Sequence, residues 1–163
     1  MELEGRIFVL GCGNPLFGDD GFGPATIEHL KTHYGSSLGG RVVALDMGTA
    51  VRDFLFDVLL SPSRPRGIII VDCVRDEGRT PGEVFEIDLE EISPEKVSDF
   101  SLHQFPTTNL LMELRSYTDV EIKVFVVQAR CIPQEVSPGL TPEVEGAIFK
   151  MCEKILKQCE VWL

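Results

Sequence analysis

From Gly67 to Val71 the chain reads Gly-Ile-Ile-Ile-Val, with no polar side chain, and the next residue is Asp72. A strand with one wet face alternates apolar and polar residues, so an unbroken apolar run of this kind belongs inside a sheet covered on both faces. That points to a parallel sheet flanked by helices. Arg6 to Leu10 (RIFVL) and Arg41 to Leu45 (RVVAL) read as two further strands, and Glu121 to Gln128 as the last. Between them lie helical patterns. Gly23 to Tyr34 carries Pro24 in its first turn and Ile27 and Leu30 on one face. Thr49 can cap a helix bearing Val51, Phe54, Leu55, Val58 and Leu59, which ends before Pro62. Thr107 to Ser116 turns Leu110, Leu111 and Leu114 inward, and Pro142 to Leu156 closes the chain as one helix with Thr141 as its N-cap.

This alternation predicts an α/β three-layer sandwich: a mostly parallel twisted sheet with helices on both faces. Right-handed crossovers place the second and third strands on either side of the first if the winding reverses after the second. Glu83 to Ile87 follows the Pro81-Gly82 turn after a connection too short for a helical crossover, so it is expected to be antiparallel or at an edge. With 163 residues, 44% of them apolar, and neither repeats nor linkers, a single domain over 1–163 is expected.

A net charge of -11 excludes nucleic acid as a partner, because phosphate binding needs a basic surface. An acidic surface suits solubility, a cation or a basic peptide. No run approaches the roughly 18 apolar residues of a membrane helix, so no membrane insertion is expected. Met1-Glu2-Leu3-Glu4 lacks a basic-then-apolar export signal, which predicts a cytoplasmic protein. Cys12, Cys73, Cys131, Cys152 and Cys159 form no CxxC pair, and an odd count without an export signal predicts reduced thiols. Cys12 and Cys73 read first as small core residues, and second as groups lining a site.

In such a sheet ligands bind beyond the carboxyl ends of the strands, where the winding reverses. Two features fall there: the loop Gly11-Cys12-Gly13-Asn14-Pro15-Leu16-Phe17-Gly18-Asp19-Asp20-Gly21 after strand one, and Asp72 after strand three. The loop is no nucleotide cradle. A dinucleotide fingerprint needs glycine where Leu16 stands, a P-loop needs lysine, and Asp19 and Asp20 would repel phosphate. Gly11 and Gly13 instead permit a tight exit from the strand that carries Asp19 or Asp20 to the rim of the sheet. On spacing alone Asp20 either faces the crevice or caps the first helix. Asp72 either meets a partner or cation across the crevice or caps the Val74-Arg75 turn. His103, in Ser101-Leu102-His103-Gln104, is the one histidine outside the first helix. His29 and His33, four apart near that helix's C-terminus, suit the dipole better than a metal, since the HExxH pattern is missing. Two carboxylates and an imidazole make a recurrent set for a divalent cation with open positions. No GxSxG elbow is present.

The stretch VLGCGNPLFGDDGFGP resembles the N-terminal signature of the hydrogenase maturation proteases. The likeness continues through Leu45-Asp46-Met47-Gly48-Thr49-Ala50, Ile70-Val71-Asp72, Ser101-Leu102-His103-Gln104 and Pro138-Gly139-Leu140-Thr141-Pro142-Glu143-Val144. It implies an endopeptidase that removes the C-terminal extension from the precursor of a [NiFe]-hydrogenase large subunit after nickel is inserted. By motif position it implies that Asp20, Asp72 and His103 recognise the nickel, which arrives with the precursor. Asp46 matches another family acid that helps position substrate or proton, and it reads equally as a carboxylate bonding the amides of the Gly48-Thr49 turn. Many relatives carry Glu where this chain has Asp20, one methylene shorter. Two rival readings remain: a non-catalytic nickel chaperone or docking module using the same residues, and a flavodoxin-like nucleotide or flavin binder.

Overall fold

The computed structural model of the protein describes residues 1–91 and 105–163. Five strands form one sheet in the order β2-β1-β3-β5-β4, where β1 is Ile7–Cys12, β2 Val42–Gly48, β3 Gly67–Val74, β4 Val84–Ile87 and β5 Glu121–Gln128. β1 pairs in parallel with β2 and β3, and β3 with β5. β4 is both antiparallel and at the edge, as its short connection requires. The winding reverses after β2, with β2 and β3 on opposite sides of β1.

The helices are α1 (Phe22–Leu38), α2 (Val51–Leu60), α3 (Phe105–Tyr117), α4 (Pro142–Glu145) and α5 (Ile148–Trp162). α1 packs with α5, and α2 with α3, one pair on each face. The twofold period of the strands sorts the core accordingly. Ile7, Val9, Ile69 and Val71 join the layer of α1 and α5, while Phe8, Leu10, Ile68 and Ile70 join that of α2 and α3. All eight residues of β3 are buried, which is the coverage its apolar run demanded.

Three local expectations change. Thr49 caps nothing: the N-cap of α2 is Ala50, which offers no side-chain bond. Thr141 does sit at the N-cap of α4, but its hydroxyl turns elsewhere. The closing helix is two helices, because the backbone tightens at Gly146-Ala147, where Ala147 N–H bonds to Val144 O instead of a carbonyl four residues back. Beyond Leu156, moreover, the chain stays helical to Trp162. There the indole Nε1 donates to Glu121 Oε2 at 2.9 Å and the ring covers Gly67. Trp162→Phe keeps the ring cover and loses the bond. It should lower unfolding free energy by about 1 kcal/mol in a urea titration, the usual net worth of one hydrogen bond.

Candidate active site

β1 and β3 stop pairing at Gly11 and Val71, whereas β3 and β5 continue to Val74 and Gln128. Past Val71, therefore, β3 has a strand neighbour on one side only. The loop leaving β1 departs on the other side, and the start of α1 packs over this carboxyl end of the sheet at Gly23. Asp72 stands at this fork, inside β3 and not beyond it as the sequence suggested, because the pairing with β5 outlasts the pairing with β1.

The loop's path is set by short bonds. Gly13 N–H donates to Gly48 O at 2.9 Å, tying the exit of β1 to the end of β2. At φ +128°, Gly13 also passes so close to Asp20 that an added Cβ would lie 1.9 Å from the Asp20 carbonyl oxygen. Asn14 N–H then donates to Asp20 Oδ2 at 2.9 Å, and Leu16 N–H donates to Asn14 Oδ1 at 3.0 Å. Residues Gly18–Gly21 form a buried 3-10 turn leading into α1. The N-cap of α1 is Gly21, with no side-chain cap, so Asp20 does not cap the helix: its carboxylate turns back over the loop.

Asp20 is 4% exposed and Asp72 1%. Asp72 Oδ1 accepts the Cys73 N–H at 2.8 Å, while its Oδ2 meets no hydrogen-bond donor among the described residues. Removal from water pushes the Asp72 carboxyl well above the ordinary carboxylate range, the Cys73 N–H opposes this, and the negative charge of Asp20 pushes the same way as burial. The two acids are thus near enough to act on each other's charge. The turn-capping role for Asp72 does not occur, since its bond to backbone is to the next residue within the strand.

Asp46, on the exposed end of β2, accepts the Gly48 N–H at 2.9 Å, the turn bond that was one of its two readings. His103 lies outside the described residues. Among the described residues no group of three or more His, Cys, Asp or Glu side chains gathers as a cation site. His29 and His33 stack at 4.0 Å on α1, with His33 Nδ1 against His29 O. All five cysteines are free thiols, and Cys12 and Cys73 are buried. Burial, then the charge of Asp72, raises the Cys73 thiol pKa well above its usual value, which leaves it protonated and a poor nucleophile.

Sequence reasoning missed Asp19. It is fully buried, and its carboxylate accepts Arg130 N–H and Cys131 N–H, each at 2.9 Å, and Thr141 N–H at 2.7 Å. The Thr141 hydroxyl lies 2.9 Å from both its oxygens. The sequence offered Asp19 and Asp20 as equivalents; only partners more than a hundred residues away separate their roles.

The fold is an α/β sheet whose winding reverses after β2, with two buried acids, Asp20 and Asp72, in electrostatic reach of each other at that reversal. A sequence model of the hydrogenase maturation proteases (HycI) matches residues 24–158, and the chain belongs to that family. Coenzyme F420 hydrogenase subunit delta of Methanothermobacter thermautotrophicus is 34% identical, covering 99% of each chain. The hydrogenase 2 maturation protease of Escherichia coli is 32% identical over 93% of this chain and 88% of its own. Among solved structures, the hydrogenase-maturating endopeptidase HybD of Escherichia coli superposes with a TM-score of 0.71 at 31% identity, covering 95% of this chain and 92% of that one. HybD of Thermococcus kodakarensis gives 0.70 at 27% identity, covering 94% and 99%.

Proposed function

We propose that this peptidase removes the C-terminal extension of a [NiFe]-hydrogenase large-subunit precursor after nickel insertion, working in the cytoplasm. Asp20, Asp72 and His103 recognise the nickel, which the precursor carries in. The observation that carries this reading is the Asp20–Asp72 pair: two buried carboxyl groups in electrostatic reach of each other disfavour joint ionisation alone and favour it around a cation. Asp72 Oδ2, without a donor among the described residues, is the kind of oxygen a cation would satisfy.

Seated between these groups, the nickel places the scissile peptide bond and supplies Lewis acidity to its carbonyl or to the attacking water. A carboxylate takes the proton from that water, and the departing amine is protonated as the carbon–nitrogen bond breaks. Low water access strengthens each of these interactions. Asp46, on the rim, orients the incoming chain or the proton.

Mass spectrometry of a large subunit co-expressed with and without this protein tests the reading. A short C-terminal peptide should be lost only in its presence. Enzyme dialysed against chelator, then freed of it, should still process nickel-loaded precursor, because the metal belongs to the substrate. A tail left intact on nickel-loaded precursor would instead assign the protein to the docking or chaperone role.

A further inference from the structure

Asp20 and Asp72 are both almost wholly buried, and the charge of Asp20 opposes ionisation of Asp72. Two acids buried near one another repel whenever both ionise, so keeping them together requires a firmly anchored loop. The Asn14 N–H grips Asp20 itself, but Asn14 belongs to the same loop and moves with it. Anchorage from outside comes through the residue before Asp20. The backbone N–H of Asp19 donates to Cys131 O at 3.1 Å, and its carboxylate accepts the Arg130, Cys131 and Thr141 amides and the Thr141 hydroxyl. Nearby, Gly18 N–H donates to Ser137 O at 2.9 Å and Ser137 N–H to Leu16 O at 2.8 Å, so Phe17 and Ser137 form a parallel bridge. The acid loop and the segment from β5 to α4 are therefore one bonded unit, with the Asp19 carboxylate at its centre. A buried carboxylate held by several N–H and O–H donors is rigid, since each lost bond leaves a buried group unsatisfied.

Resting on the function proposed above, we infer that Asp19 is the positioning residue of this peptidase: it touches no substrate and holds Asp20 at working distance from Asp72 by tying the acid loop to residues 130–141. This separates the two acids of the Asp19-Asp20 pair into an anchor and a working group.

The test compares Asp19→Asn, Thr141→Val and Thr141→Ser in cleavage of nickel-loaded precursor, each assayed well below its own Tm. Asparagine cannot accept at both ends of its side chain, and its amide hydrogens would point at backbone N–H groups. Asp19→Asn should lower kcat about 100-fold, the scale of a misplacement near 1 Å. KM for the precursor should stay within about twofold, because no binding contact is lost. Thr141→Val, which removes only the hydroxyl, should lower kcat by roughly tenfold, and Thr141→Ser, which restores it, should match wild type. If Asp19→Asn does not fold, the Thr141 pair decides alone. Variants with lowered Tm but wild-type kcat, or with raised KM at unchanged kcat, overturn the inference and leave Asp19 a structural anchor only. A wild-type enzyme that leaves the tail intact overturns the functional reading, and the inference with it.

Discussion

Asp72→Asn should sharply slow tail removal while making the protein more stable. The substituted side chain keeps the oxygen that accepts the Cys73 N–H and removes a buried ionisable carboxyl within electrostatic reach of Asp20. Relief of a buried like-charge pair should raise unfolding free energy by about 1 kcal/mol or more. In a chain of this size that corresponds to a Tm gain of about 2–4 °C for each kcal/mol. The gain should depend on pH in a defined direction. Because the folded-state pKa of Asp72 is raised, folded protein holds a proton that the unfolded chain has already lost. The stability this contributes is complete below the ordinary carboxylate pKa and drains away as pH rises through the folded value. Wild type and Asp72→Asn should therefore melt most alike in acid and diverge toward neutrality. Processing should fall by roughly a hundred- to a thousandfold, the scale for loss of one preorganised charged group. Asp20→Asn and His103→Ala should lose processing as well while staying folded. A lower Tm for Asp72→Asn at neutral pH would show that the Asp72 charge is satisfied in the folded state, and retained processing would remove it from the site.

The second large effect is expected at Gly23, which brings the first turn of α1 against the sheet. A Cβ there would lie 2.2 Å from Cys12 O, 2.5 Å from Cys12 N and 2.7 Å from Val71 O, all of them backbone atoms. None can step aside without disturbing the ends of β1 and β3. Gly23→Ala must therefore lift the start of α1, and Asp20, just before that helix, lifts with it. Urea unfolding should show a loss of about 3 kcal/mol, the upper range for overpacking a core. Any folded fraction should process precursor poorly. An alanine variant with wild-type stability would mean that α1 can slide without cost, contrary to the close approach described.

Much of this architecture could be read directly from residue order. The Ile-Ile-Ile-Val run demanded cover on both faces, and β3 is buried throughout. The short link before Glu83 demanded an antiparallel edge, and β4 is one. The reversal after β2 was expected from the order of elements, and Asp20 and Asp72 lie in electrostatic reach of each other there. What was illegible depends on distant partners. By residue pattern the strand containing Asp72 stops at Val71, because only pairing with Val126 to Gln128 on β5 prolongs it. Thr141 looked like an N-cap by type and position, but a buried carboxylate from the first loop competes for its hydroxyl and wins. Asp19 and Asp20 are chemically identical neighbours, and local pattern carries no information about which one turns toward residues 130–141. The break at Gly146 was a local signal that the apolar pattern through Ile148 and Met151 masked.

The bond joining Asp19 to Thr141 spans 122 positions of chain, and the one to Arg130 spans 111. During synthesis Asp19 therefore emerges more than a hundred residues before the segment that fixes its carboxylate. Until residues 130–141 exist, the Asp19 carboxylate lacks its backbone donors, so the acid loop is locked only after β5 and the start of α4 have been made.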